Sequence, residues 1–208
     1  AITGLPLWFV QRQMALGEEP AATIKSPNER PRVALIGCGG QGSGDARNSR
    51  RFGDIVAVCD VDQAHIDRAL ERFTQDGKAP DAFSDFRKLL ERKDIDCIIN
   101  GTPDHWHTLI NIAAAKAGKD IYSEKPLTLT IDEGRHVVKA VRDNKVVLQT
   151  GTQQRSSQRF RLACELVRNN RIGKVKEVKV GLPTGNQTDI EGKVAEPIPE
   201  GLDYDMWC

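Results

Sequence analysis

Residues 32–60 read RVALIGCGGQGSGDARNSRRFGDIVAVCD. The apolar run at residues 33–36 stops at GCGGQG, which places Gly37, Gly39 and Gly42 in a GxGxxG pattern, and a second apolar run at 55–58 ends beside Asp60. Strands without a polar face are those covered on both sides, as in parallel sheets. Strand, glycine turn, helix and strand in succession make a βαβ unit. In such a unit the first glycine permits the tight turn, the second lets the backbone approach a pyrophosphate, and the third lets helix and strand pack closely. The helix N-terminus then faces the phosphates. An acidic residue about 20 positions on meets the adenosine ribose hydroxyls. The stretch therefore predicts a nicotinamide dinucleotide site with Gly37, Gly39, Gly40, Gln41 and Gly42 in the loop and Asp60 at the ribose. A glycine turn that binds nothing is the bland alternative, and the turn's position before a helix and an acid weighs against it. A carboxylate repels a 2′-phosphate, so Asp60 favours NAD over NADP, and Asp62 bears on the same choice.

Outward from this unit, apolar runs at residues 97–99, 120–122 and 146–148 read as further strands, with a brief sixth at 82–83. Between them, Ile66, Ala69, Leu70 and Phe73 form one helical stripe, and Trp106, Leu109, Ile110, Ala113 and Ala117 form another. Thr130 and Glu133 make a capping box that opens a third helix. A fourth carries Phe160, Ala163, Cys164 and Val167 on one face, with Gly173 as its left-handed stop. The alternation predicts an α/β fold: a Rossmann-type doubly wound parallel sheet. At residues 174–180 lysine alternates with valine, which predicts a strand with one polar face and hence a different sheet. The expected organisation is a linker or leader remnant at 1–30, a dinucleotide domain at 31–150, and the start of an incomplete α+β substrate domain at 151–208.

Composition sets the limits. The 208 residues are 39% hydrophobic and 28% charged, enough for a buried core. Thirty Lys and Arg against 29 Asp and Glu leave a net charge of +1 with the signs interleaved, so there is no basic field for nucleic acid. No apolar run approaches the roughly 20 residues of a membrane-spanning helix. The chain is expected to act on neither nucleic acid nor membrane. Cys38, Cys59, Cys97, Cys164 and Cys208 form no CxxC pair and read as reduced structural residues. The first 29 residues lack a complete secretory signal, and a cytoplasmic location is expected unless an export leader precedes Ala1.

Two further groups follow predicted strand ends, where open α/β sheets bind ligands. Gly101-Thr102-Pro103-Asp104-His105-Trp106-His107 turns into a helix. The spacing of His105 and His107 does not converge metal ligands, so no metal is expected, and Trp106 reads as core at the helix start. Glu124-Lys125-Pro126 places a lysine where shielding from water beside a cationic nicotinamide ring would fit it for proton transfer. The residues alone leave an exposed lysine before a helix equally open.

These groups, with Ala117-Gly118-Lys119 before a strand, resemble the glucose-fructose oxidoreductase, inositol dehydrogenase and MocA family of nicotinamide-dependent enzymes over residue 32 to the C-terminus. The resemblance implies that Thr102 and Pro103 border the cofactor, that Glu124 contacts the nicotinamide ribose, that Lys125 assists catalysis and that Pro126 follows a cis bond. It also matches His107 to the cofactor region, while Asp104 departs from the asparagine common at its position. Gly151-Thr152-Gln153-Gln154-Arg155 resembles the family's crossing into its substrate domain and puts Arg155 near the active site. The resemblance further implies an acid and histidine pair in the second domain that residues 182–208 do not supply, so the chain is expected to be a fragment. The implied activity is hydride transfer between NAD and a secondary alcohol of a sugar or polyol in a homo-oligomeric whole protein. The alternatives are NAD-dependent, redox-assisted glycoside cleavage and a non-catalytic dinucleotide-binding module. Relatives with similar wording at 102–107 and 151–156 often carry a twin-arginine leader, which would make the protein periplasmic.

Overall fold

The computed structural model describes residues 30–182 and 194–208. The expectation of a leader remnant or linker at the N-terminus falls on residues 1–29, outside the described residues. Six strands are present: β1 (Arg32–Ile36), β2 (Asp54–Cys59), β3 (Asp81–Phe83), β4 (Cys97–Asn100), β5 (Asp120–Ser123) and β6 (Leu148–Thr150). They form one sheet in the order β3-β2-β1-β4-β5-β6, with every neighbouring pair parallel. This is the doubly wound dinucleotide-binding order, whose direction reverses between β1 and β4.

The helices are α1 (Gly40–Ser49), α2 (Gln63–Phe73), α3 (Phe86–Leu90), α4 (Asp104–Lys116), α5 (Ile131–Asn144), α6 (Gln158–Arg168) and the short α7 (Tyr204–Trp207), with a 3-10 turn at Gln153–Ser156. Alternate residues of β1 point to opposite faces. Val33 and Leu35 join Ala46 of α1 and Ala69 and Phe73 of α2 in one core cluster. Ala34 and Ile36 join Leu89 of α3, Ile110 and Ala114 of α4 and Ala140 of α5 in the other. Cys38 and Cys59 are buried and free, and burial pushes both thiols well above their usual range. Both halves of the predicted capping box form: Thr130 Oγ1 accepts from the Glu133 N–H at 3.3 Å, and Glu133 Oε2 accepts from the Thr130 N–H at 3.1 Å.

Three expectations are corrected. Residues 174–180 form no strand and are exposed. A strand needs a hydrogen-bonded neighbour, and among the described residues none lies beside this segment. β6 begins at Leu148 rather than at residue 146, because Leu148 is the residue in register with Ile121, whereas Val147 is 67% exposed. Helix α6 ends at Arg168, so the first left-handed residue after it is Asn170 (φ 57°), ahead of Gly173 (φ 73°).

Candidate functional site

The last residues of all six strands lie in register: Phe83 beside Cys59, Cys59 beside Ile36, Ile36 beside Asn100, Asn100 beside Ser123 and Ser123 beside Thr150. The residues that follow therefore form a second row along one edge. Backbone N–H groups lock this row: Asp60 donates to Phe83 O, Gly37 to Cys59 O, Gly101 to Ile36 O, Glu124 to Asn100 O and Gly151 to Ser123 O, at 2.7 to 3.2 Å. Asp60, the glycine loop, the Thr-Pro turn and the Glu-Lys-Pro turn thus share the carboxyl edge, where open α/β sheets take ligands.

The three loop glycines differ in their surroundings. Gly37 has φ +88°, a conformation L side chains rarely adopt. A Cβ on Gly42 would stand 2.1 Å from Gly37 O, and one on Gly101 would stand 2.5 Å from Gly42 Cα. The glycine at 101, not singled out among the expected site residues, is therefore the third member of a backbone contact between loop and β4 exit. Gly39 has nothing within 4 Å of its Cβ direction, and it begins α1 as an open surface. Gly37 thus serves the turn and Gly42 the close packing, while the space beside Gly39 is open.

The Asp60 side chain is 9% exposed. Its Oδ2 accepts from the Cys38 N–H at 2.6 Å and lies 3.4 Å from His65 Nδ1, while Oδ1 accepts from the Asp62 N–H at 3.0 Å. A carboxylate offers about four lone-pair positions, so acceptor capacity remains toward a ligand hydroxyl. Asp60 opens onto a cavity of about 410 Å³, which the glycine loop borders at Gly37, Gly39, Gly40 and Gln41. That volume lies within the ordinary range for small-molecule sites. Thr102 and Pro103 border it from the β4 exit, with Phe86 and Trp106 behind them. Trp106 packs against the core and also walls the cavity, its ring edge-on to Phe86 at 5.9 Å, which corrects its reading as core alone.

Glu124, Lys125, His107 and Arg155 do not line this cavity. They belong to the neighbouring stretch of the same edge. Glu124 is 4% exposed, and its Oε1 accepts from Gln153 Nε2 at 2.7 Å and Gln41 Nε2 at 3.4 Å. A Cβ on Gly151 would stand 2.4 Å from that oxygen, so the glycine makes room for the carboxylate. Lys125 donates its backbone N–H to Glu124 Oε2 at 3.2 Å, and the Lys125–Pro126 peptide is cis. Lys125 is exposed. His107 is 1% exposed; its Nε2 lies 2.8 Å from Thr102 O and its Nδ1 2.5 Å from Pro126 O. It ties the turn after β4 to the turn after β5 from behind. Arg155 is exposed on the 3-10 turn.

A buried polar chain supports these turns. Thr102 Oγ1 donates to Asn100 Oδ1 at 2.7 Å, Asn100 Nδ2 to Asn111 Oδ1 at 2.9 Å, and Asn111 Nδ2 to Ser123 Oγ at 2.9 Å. Satisfied buried networks of this kind hold one geometry. Sequence reasoning missed Asn100, Asn111 and Ser123 because nothing but tertiary contact joins them.

It also missed Asp45 of α1. Burial, with the nearby Glu124 carboxylate, raises the Asp45 carboxyl to about 6. A folded value above the unfolded one of 3.8 means that the folded state binds this proton more tightly. Its contribution to stability is complete below about pH 4 and is lost as pH rises through about 6. Wild-type protein should therefore lose stability relative to Asp45→Asn across that window, as urea unfolding at both ends would measure. A constant difference between the two proteins would contradict the coupling.

The profile of the family described as "Oxidoreductase family, NAD-binding Rossmann fold", GFO_IDH_MocA, matches residues 31–152. A myo-inositol 2-dehydrogenase of Thermotoga maritima is 26% identical over 175 residues, which cover 83% of this chain and 48% of that protein. A glycosyl hydrolase family 109 protein of Shewanella pealeana is 31% identical over 136 residues, 62% of this chain and 30% of that one. The crystal structure of myo-inositol 2-dehydrogenase from Lactobacillus plantarum superposes with a TM-score of 0.64 at 27% identity, over 70% of this chain and 43% of its own. The chain thus spans less than half the length of each of these relatives. No helix among the described residues is long and apolar enough to cross a membrane. Because the matched residues run from before β1 to just past β6, the sheet described above is the family's cofactor domain, and the chain belongs to the glucose-fructose oxidoreductase, inositol dehydrogenase and MocA family of NAD-binding oxidoreductases.

Proposed function

We propose that the whole protein transfers hydride between NAD and a secondary alcohol of a sugar or polyol, with residues 31–150 as the cofactor domain and residue 151 onward beginning the substrate domain. The observation that carries this reading is the shared edge, on which the Asp60 cavity and the Glu124-Lys125-Pro126 turn follow strands ending in register. The glycine loop and the N-terminus of α1 would hold the pyrophosphate, Asp60 the adenosine ribose, and Thr102 and Pro103 the path toward the nicotinamide. Glu124, braced by Gln153, would receive the nicotinamide ribose. The bound cofactor would supply the hydride acceptor. Lys125 would exchange the proton of the reacting hydroxyl, and Arg155 would stand on the substrate side. The myo-inositol 2-dehydrogenase relatives support a polyol substrate class.

Asp60, with Asp62 close behind it, supports NAD over NADP, because a 2′-phosphate would meet two carboxylates. Asp60→Ala should weaken NADH binding at least about tenfold, in keeping with the loss of charge-assisted hydrogen bonds, and leave NADPH binding nearly unchanged. Titration of both cofactors by fluorescence measures this. An undiminished preference for NADH in the variant would remove Asp60 from the ribose site.

The glycosyl hydrolase family 109 relative at 31% identity is compatible with a second reading, in which bound NAD oxidises a glycoside transiently and is regenerated. Net NADH release with a free sugar or polyol as substrate separates the two: the first reading predicts stoichiometric NADH, the second none.

A further inference from the structure

Residues 201–207 lie about 140 positions beyond Asp60 in the chain, yet they wall the same cavity. One end of this segment is pinned to the β2 exit. Leu202 bridges antiparallel to Asp62, the Gln63 N–H donates to Gly201 O at 3.0 Å, and the Asp203 N–H donates to Val61 O at 2.9 Å. The other end is pinned to the start of α4, where Trp207 O accepts from Trp106 Nε1 at 3.1 Å and lies 2.8 Å from His105 Nε2. Between the pins, Asp203 Oδ1 accepts from the Met206 N–H at 3.1 Å and caps the α7 turn. Leu202, Met206 and Trp207 thereby line the cavity that the glycine loop also borders, and they join Phe86 and Trp106 in an apolar and aromatic wall.

We infer that residues 202–207 complete the adenine subsite, with Trp207 and Met206 forming the surface against which the base lies. The inference rests on the dinucleotide reading above and adds to it a contribution from beyond the Rossmann sheet. Its basis is placement. On the dinucleotide reading Asp60 marks the adenosine ribose, and Val61, Asp62, Leu202, Met206 and Trp207 line the same cavity as Asp60. A purine offers two apolar π-faces, and aromatic and thioether side chains are the groups that pack on them. The backbone polar groups of the segment are spent on its own anchoring, and Met206 Sδ accepts from Arg87 Nη2 at 3.7 Å.

The test is calorimetric titration with ADP-ribose, which carries the adenosine half and lacks nicotinamide, against wild type, Trp207→Ala and Met206→Glu. Loss of one stacking partner should weaken ADP-ribose binding about tenfold or more. The carboxylate of Met206→Glu should weaken it at least as much. Both variants should keep the wild-type unfolding midpoint, because Trp207 and Met206 lie outside both core clusters. Wild-type affinity in both variants overturns the inference, and so does an affinity loss that only follows a fall in the unfolding midpoint in both. Absence of ADP-ribose and NADH binding to the wild-type chain would overturn the dinucleotide reading itself, a result distinct from either.

Discussion

Lys125→Met should lower kcat of the whole protein about a hundred- to ten-thousandfold while leaving NADH affinity near that of wild type, the range expected for loss of a positioned acid-base group. The backbone around Lys125 is held from three directions: Glu124 N–H to Asn100 O, Lys125 N–H to Glu124 Oε2, and Pro126 O to His107. Among the described residues the Lys125 ammonium itself has no hydrogen-bond or ion-pair partner, so its head group is available to a substrate hydroxyl. A rigid base under a free head group is what proton transfer to a positioned substrate requires. A fall in kcat/KM matching the fall in kcat would place the lost interaction in the transition state, whereas a change in KM alone would assign Lys125 to binding. Unchanged turnover would remove it from the chemistry.

Gly42→Ala should abolish cofactor binding and destabilise the fold by at least about 3 kcal/mol, the upper end of ordinary overpacking, because the new methyl meets backbone rather than a movable side chain. The clash is with Gly37 O at 2.1 Å, and the nearest relief, away from Gly37, is blocked by Gly101. Against a total stability of about 5 to 15 kcal/mol this is a large loss. Gly39→Ala is the matching control. Its new methyl meets nothing within 4 Å, and its backbone (φ −63°, ψ −173°) suits alanine. It should remain folded to within about 1 kcal/mol, the usual cost of an alanine at a helix N-cap, and still bind NADH at least about tenfold more weakly, because the methyl would occupy the pyrophosphate approach. Urea unfolding and NADH titration of the two variants separate packing from binding. Equal behaviour of the two would contradict the roles given to them.

The inner strands were legible because β1, β2 and β4 are largely buried and so appear as apolar runs, whereas the edge strand β3 is mostly exposed and was marked only by Ala82 and Phe83. Helix α3 escaped notice because five residues are too few for a helical period, although Leu89 and Leu90 are buried. The alternation at 174–180 misled because a strand pattern states what a segment could pair with, not that a partner lies beside it. The same division runs through the site. Gly37, Asp60, Thr102 and Glu124 were legible because each follows a strand end, and strand ends of a parallel sheet share an edge. His107 and Gly151 were reached only through the resemblance, and Asp45 not at all, because their contacts depend on which helix or turn comes to rest beside Glu124 and Pro126, and no local spacing carries that. Leu202 and Trp207 reach the cavity across about 140 residues of chain, beyond any reading of local pattern.

Whether the unit from Arg32 to Asp60 holds a nicotinamide dinucleotide is measured by calorimetric titration of the 208-residue chain with NADH. Saturable binding of one NADH per chain, weakened at least about tenfold by Asp60→Ala, is the predicted result. No binding of NADH at millimolar concentration, or binding indifferent to Asp60→Ala, would contradict it.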